Sequence, residues 1–425
     1  MVSKIITTFE HSILRIGEQG FKESHFNALV KYNDLHGSKY FTPGHRRIIF
    51  KSYVGVIQAG DKVIEVLPKA DNLSKDEDRT KNKWHSALLY MLKKAGYIRL
   101  DDTEKASQQY SKNNLLEIYL YNFLKEVELL IHCGLVKKYH KVQQNKTVLK
   151  GRLLIERQML YNIIHKERFF IEHTIYDRNN VFNSLLKKAL EIIQLTCTNY
   201  SIKQNASKLL LNFEDINSWR GNYESLDKLV FDRKTKSYTY AIELARMIIM
   251  NYNPDMSAGN KPILAILFDM NRLFEKFIYR ILKSEALFFS TNKLTVNYQN
   301  NRLFWKNKTL RPDILIEFEK KDQAGKDVYC KFIVDTKWKA IGTNNPSGND
   351  LRQMYAYNFQ FGSHQSILLY PSMGQENLGP AFFEESILIP EIKHGCELYF
   401  AEIFDDSGIN RQFAHNFITY LIQNQ

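Results

Sequence analysis

Two apolar runs separated by a short polar stretch constrain this chain more than any other feature: RPDILIEF at 311–318 and YCKFIVDTKWK at 329–339. Strict alternation in the first run puts Asp313, Leu315 and Glu317 on one face of a strand and Ile314, Ile316 and Phe318 on the other. The intervening KKDQAGKD is polar, carries one glycine and suits a hairpin connection. The return run then places Ile333, Asp335 and Lys337 on a single face, so two carboxylates and a lysine can meet across paired strands. Phosphodiester hydrolysis needs charge stabilisation on the phosphate and a water made nucleophilic near neutral pH, and carboxylate-held magnesium supplies both. A lysine beside the ion can orient or deprotonate the water, or neutralise charge developing on the phosphate. Taken alone, the same residues also suit two surface acids and a snorkelling lysine on ordinary strands.

The pattern resembles the PD-(D/E)xK nuclease motif. That resemblance implies Asp313 and Asp335 as metal ligands, the Thr336 carbonyl as a further ligand and Lys337 as the catalytic lysine. Downstream, DLRQMYAYNFQF sets Gln353 and Tyr357 four residues apart on one helix face, as in the QxxxY motif of RecB-like members of the superfamily. Upstream, FDMNRLFEKFIYRIL reads as an amphipathic helix with Leu273, Phe274, Phe277, Ile278 and Ile281 as its apolar stripe. Related nucleases often draw an acidic ligand from such a helix, so Glu275 is the candidate third carboxylate; the alternative is a solvated helix acid.

At 425 residues the chain is long enough for more than one core, and 44% hydrophobic residues with only nine prolines describe a folded protein. A net charge of +13 favours an anionic partner, either nucleic acid or an acidic protein surface. Cys133, Cys197, Cys330 and Cys396 are scattered without metal-ligand spacing, which fits a reducing compartment. The N-terminus is too polar for a secretory signal and no apolar run is long enough to span a bilayer, so no membrane association and a cytoplasmic location are expected.

From Lys4 to about Pro68 the chain is β-rich and expected to be barrel-like, with RRIIFKSYVGVI and KVIEVLPK as strands joined by a turn at Gln58 to Asp61. Gly55 and Gly60 in GVIQAGDK have phosphate-loop separation, but Asp61 stands where the motif has lysine and would repel phosphate. No nucleotide-binding residues are therefore expected. Helical periodicity follows at 80–96, 114–133, 179–197, 202–212 and 238–251, interrupted by strands in LVKKYHKVQQNKTVLKGRLLIERQ and RFFIEHTIYDR. Lys138, Lys141 and Lys146 head a basic cluster there, which suits either a solvated strand face or docking to an acidic partner. NPDMSAGNKP, at 253–262, concentrates turn formers and divides the chain into 1–256 and 257–425. Beyond the candidate site lie strands in QSILLYPS, ESILIP and CELYFAEI and a closing helix in FAHNFITYLIQ.

Taken together, YVGVIQAGDKVIEVLPKAD, LKGRLLIE, YDRNNVFNSLLKKAL, LFDMNRLFEKF, RPDILIEF, IVDTKWK and DLRQMYAY resemble, in order and spacing, the McrC family, the endonuclease subunit of McrBC-type modification-dependent restriction systems. The resemblance implies an α+β N-terminal region that contacts McrB, a hexameric AAA+ GTPase that recognises modified DNA. It also implies a C-terminal α/β restriction-endonuclease-like domain with a mixed central sheet, which uses magnesium and cuts when the partner hydrolyses GTP. Two other readings stand beside it: a self-sufficient PD-(D/E)xK nuclease acting on DNA or RNA, and a non-catalytic scaffold that activates an AAA+ ring.

Overall fold

The computed structural model describes residues 5–68, 77–99, 114–253, 262–289, 293–321, 325–339, 345–372, 375, 377–384, 393–405 and 408–423. Five strands form an N-terminal sheet in the order Ile5–Phe9, Lys62–Leu67, Tyr53–Ala59, Ile263–Asp269 and Tyr252–Asn253. The first two run parallel and the remaining neighbours antiparallel. Side-chain alternation assigns its two faces. Ile57, Ile64, Val66 and Ala265 pack with Leu29 and Tyr32 of the helix Glu23–Leu35 and with Phe41 and Ile48 of a separate three-stranded sheet. Val54, Val56, Val63, Leu264 and Ile266 join the main core with the helices Glu77–Lys94 and Leu115–His132.

Two expectations change here. RRIIFKSYVGVI is two strands, Arg47–Phe50 in the small sheet and Tyr53–Ala59 in the large one. Ile48 and Phe50 belong to one core while Val54 and Val56, of the same parity, belong to the other, and an unbroken strand cannot switch faces that way. Nor is this part barrel-like: among the described residues the sheet stays open, with Ile5–Phe9 and Tyr252–Asn253 at its edges. Cores cover both of its faces, so it needs no closure on itself.

Gly60 turns the hairpin between Ala59 and Lys62 at a φ of +63°. Gly55 has φ +134°, and a Cβ there would lie 2.1 Å from the Ile266 carbonyl oxygen of the neighbouring strand. Both glycines serve the sheet, and strand–turn–strand is not the strand–loop–helix of a phosphate site.

The helices Leu115–His132, Val181–Thr196, Tyr200–Leu210 and Thr239–Met250 pack beneath the sheet. Asn114, Asn180 and Asn199 cap three of them, each accepting a first-turn backbone N–H. Between the first two helices a long hairpin arm leaves the body: Lys138–Lys146 pairs antiparallel with Phe169–Asp177, and Arg152–Leu153 adds a third strand. Its root is fixed by Asn180 and Asn183, whose side-chain amides donate to the Val136 carbonyl at 2.9 Å.

The second large sheet orders Thr295–Tyr298, Ile314–Lys321, Asp327–Thr336, Gln365–Pro371, Gly395–Ala401 and Leu378–Phe382. It is mixed, with antiparallel pairs at both edges and parallel pairs in the middle. The expected KKDQAGKD hairpin thus forms between Ile314–Lys321 and Asp327–Thr336. Ile314, Ile316 and Phe318 face the helix Met270–Ala286, which Phe413–Gln423 backs, while Leu315 and Ile333 face the helix Gly348–Phe361. The expected strand in ESILIP lies outside the described residues, as does the 256/257 boundary. The strands on either side of that boundary, Tyr252–Asn253 and Ile263–Asp269, are paired with each other in the N-terminal sheet. Among the described residues no helix is long and apolar enough to cross a membrane.

Candidate active site

Register brings the two aspartates together. Ile314 pairs with Val334, so Asp313, one step before the first, meets the end of the strand that carries Asp335 and Thr336. Asp313 Oδ2 accepts from the Thr336 backbone N–H at 2.8 Å and from its hydroxyl at 2.9 Å. Asp335 is 2% exposed, and the Lys337 ammonium stands 2.7 Å from its Oδ2. The helix Gly348–Phe361, capped by Ser347, delivers the next layer. Gln353 Nε2 lies 3.5 Å from Asp335 Oδ1 and donates to the Tyr357 hydroxyl at 2.8 Å, while Tyr357 donates to the Arg311 carbonyl at 3.0 Å. Lys337 Nζ also reaches Gln353 Oε1 at 3.5 Å. The four-residue spacing thus brings Gln353 and Tyr357 to the same aspartates and lysine.

Glu275 comes from the opposite side, on the helix Met270–Ala286, and is 9% exposed, so it is not a solvated acid. Its Oε1 accepts from Gln299 Nε2 at 2.7 Å. Three carboxyls sense one another here. Burial, then Glu275, raises the pKa of Asp313; burial, then Asp313, raises that of Asp335; burial raises Glu275, to which Asp335 adds against the pull of Gln299, Tyr298 and Arg311. The pKa of Lys337 is raised as well: burial alone would lower it, but Asp335, Asp350 and Asp313 outweigh burial and keep it a cation. Among the described residues no three His, Cys, Asp or Glu side chains converge into a ready-made metal site. The donors nonetheless match a hard divalent cation by chemistry, being carboxylate oxygens crowded in a buried acidic pocket whose repulsion a dication would relieve.

Asp350 was not singled out from sequence. It sits three residues before Gln353, on the same side of the helix, with Oδ1 3.5 Å from Lys337 Nζ and Oδ2 2.8 Å from Lys339 Nζ. The i−3 spacing was its signal.

The three basic arm residues lie in different surroundings. Lys138, at the root, pairs with Asp232 at 3.1 Å and lies over the Phe182 ring; Lys141 lies 3.6 Å from Glu172; Lys146 is the distal one. What the arm presents at its far end is apolar: Val148, Ile155, Met159, Leu160, Ile163 and Ile164 are each more than 60% exposed. The expected strand through Gln158 is corrected here, since Ile155–Tyr161 is a short helix, and it carries part of this apolar end.

The family model described as "McrBC 5-methylcytosine restriction system component" matches residues 48–371. Among solved structures, the refined half-complex from a tetradecameric assembly of Thermococcus gammatolerans McrB AAA+ hexamers with bound McrC is similar over 97% of this chain and 100% of that chain, with a TM-score of 0.60 at 18% identity. The cryo-EM structure of the Thermococcus gammatolerans McrBC complex matches 65% of this chain and 87% of that one, with a TM-score of 0.47 at 22% identity. No curated protein matches the chain.

Proposed function

The chain belongs to the McrBC 5-methylcytosine restriction system component family, and we propose that it is the magnesium-dependent DNA endonuclease subunit of such a system. The observation that carries the reading is the meeting of Asp313, Asp335 and Lys337 at one end of a mixed sheet, braced by Gln353 and Tyr357 from a single helix. This is the arrangement expected of a PD-(D/E)xK site. Asp313, Asp335 and the Thr336 carbonyl, together with Glu275, would hold the ion, and magnesium there would supply polarisation of the scissile phosphate and activation of water. Lys337, kept cationic by its carboxylate neighbours, neutralises charge that develops on the phosphate, and Gln353 and Tyr357 orient the lysine and Asp335. Asp335→Ala or Lys337→Ala should abolish cleavage in magnesium, and a chelator should do the same to the native chain. Cleavage by Asp335→Ala at the native rate would sink this assignment.

The neighbouring structure contains McrB AAA+ hexamers with bound McrC, which supports a ring-shaped AAA+ GTPase as this chain's cytoplasmic partner. GTP belongs to that partner, as does reading of modified bases. The arm is the element offered to the ring: its apolar far end makes the contact, and Lys146 with its basic neighbours steers the approach.

A further inference from the structure

The chain leaves the edge of the six-stranded sheet at Tyr298 and returns at Asp313, and between those points it makes a small hairpin, Arg302–Trp305 with Lys308–Leu310. Trp305 pairs with Lys308, so the turn is Lys306–Asn307, with Lys306 at a φ of +48°. The stretch QNNRLFWKNKTLRP, residues 299–312, holds four basic residues and no acidic one. Two aromatic rings stand in solvent at its end: Phe304 is 59% and Trp305 61% exposed, with the Lys306 ammonium 4.9 Å from the Trp305 ring centre. Neither the carboxylate site nor the arm uses these side chains.

Both ends of the hairpin are tied to the candidate active site. At the entering end Gln299 donates its backbone N–H to the Asp313 carbonyl at 2.9 Å and its side-chain amide to Glu275. At the leaving end the Arg311 carbonyl accepts from Tyr357 at 3.0 Å. The helix that carries Gln353 grips the middle: Arg302 donates to the Gln360 carbonyl, and Gln360 Nε2 donates to the Leu303 carbonyl at 3.0 Å. A cationic, aromatic-tipped projection is thereby fixed beside the carboxylates by a short, well-braced stem.

We infer that this hairpin is a DNA-gripping element, with Arg302, Lys306 and Lys308 on the backbone phosphates and Phe304 and Trp305 set against the bases next to the cut. The inference rests on the nuclease reading of the adjacent site. Charge and rings together select the occupant: exposed rings among cations, with no acidic residue in the same stretch, match a polyanion whose bases offer flat apolar faces, whereas an acidic protein surface would answer the charge but not the pair of solvent-exposed rings. Because the hairpin runs from the edge strand Thr295–Tyr298 directly into Asp313, the grip of its rings fixes which phosphate lies over the carboxylates.

The test uses the full chain bearing Asp335→Asn, so that binding is read without cleavage, and a fluorescein-labelled 30-base-pair duplex at low salt. Phe304→Ala/Trp305→Ala should weaken binding on the order of tenfold. Lys306→Glu/Lys308→Glu should weaken it further and flatten the dependence on salt by about two in the log–log slope. Acrylamide quenching of the Trp305 emission, isolated by difference against Trp305→Phe, should fall when duplex is added. All four residues are exposed, so melting temperature should not move. The inference is overturned if the unmodified hairpin does not bind duplex, or if both double variants bind it as tightly as the parent; it is equally overturned if the variants lose only a protein partner. Failure of the nuclease reading shows separately, as cleavage by Asp335→Asn when magnesium is added; the binding comparison is run in metal-free buffer and is read independently of it.

Discussion

Asp313 and Asp335 are held where ionisation is costly, and that cost has a sign that can be checked. A carboxyl whose pKa rises on folding favours the neutral form in the native state. Its effect on stability is therefore absent below the unfolded pKa near 3.9, grows as pH rises through the folded value, and stays as a penalty above it. Asp313→Asn keeps an acceptor for both Thr336 hydrogen bonds while removing the charge. In metal-free buffer at pH 7 it should be more stable than the native chain by on the order of 1 kcal/mol, with the gain vanishing below pH 4. Thermal melts across that range check this, and lower stability of Asp313→Asn at pH 7 would contradict it. Glu275→Gln should keep the Gln299 contact but raise the magnesium concentration needed for half-maximal cleavage; an unchanged requirement would reduce Glu275 to a packing residue. These residues differ in how visible they were in sequence. Asp313, Asp335 and Lys337 were legible because a period of two, read on both runs, fixes which side chains share a face. The depth of Glu275 was not, since it is set by Gln299 and Tyr298, more than twenty residues away and folded over it from the sheet edge.

At the scale of elements, most helices and strands followed from periodicity, and the exceptions are places where tertiary packing decides. The split of RRIIFKSYVGVI depends on which core each residue joins, information that alternation within the run does not carry. Gly55 marks the same limit, because its need for bare backbone arises from a strand more than two hundred residues later. Gly55→Ala should cost roughly 3 kcal/mol or more, since the colliding atom is backbone and cannot swing aside. A melt or a denaturant titration within experimental error of the native chain would contradict that. The arm gives the opposite outcome. Ile163→Ser/Ile164→Ser replaces side chains that are 69% and 86% exposed, so stability should hold while ring binding and stimulation of GTP hydrolysis fall. Lys146→Glu should act more weakly and mostly at low salt. Lys138→Glu should instead loosen the arm's root, where the lysine pairs with Asp232 and covers Phe182.

Across the whole molecule the two halves are joined in ways that composition could not reveal. Ile263–Asp269 sits between Tyr53–Ala59 and Tyr252–Asn253, so a chain ending at residue 256 would lose an interior strand of the N-terminal sheet. Such a truncation should be degraded rapidly by protease, whereas one ending at Asp269 retains the strand. Trp338, the residue after Lys337, donates its indole N–H to Glu10 at 2.6 Å and packs edge-on to Trp84, linking the candidate catalytic strand to the first strand of the chain. On the function proposed above, one chain both cuts DNA with Asp313, Asp335 and Lys337 and engages a GTPase ring elsewhere. The most direct measurement places Asp335→Asn with a McrB-type GTPase, GTP, magnesium and methylated duplex DNA, and follows strand cleavage and GTP turnover in the same tube. Cleavage should be absent while GTP hydrolysis is stimulated as by the native chain; cleavage at the native rate, or loss of stimulation by a folded and bound variant, would contradict that division of labour.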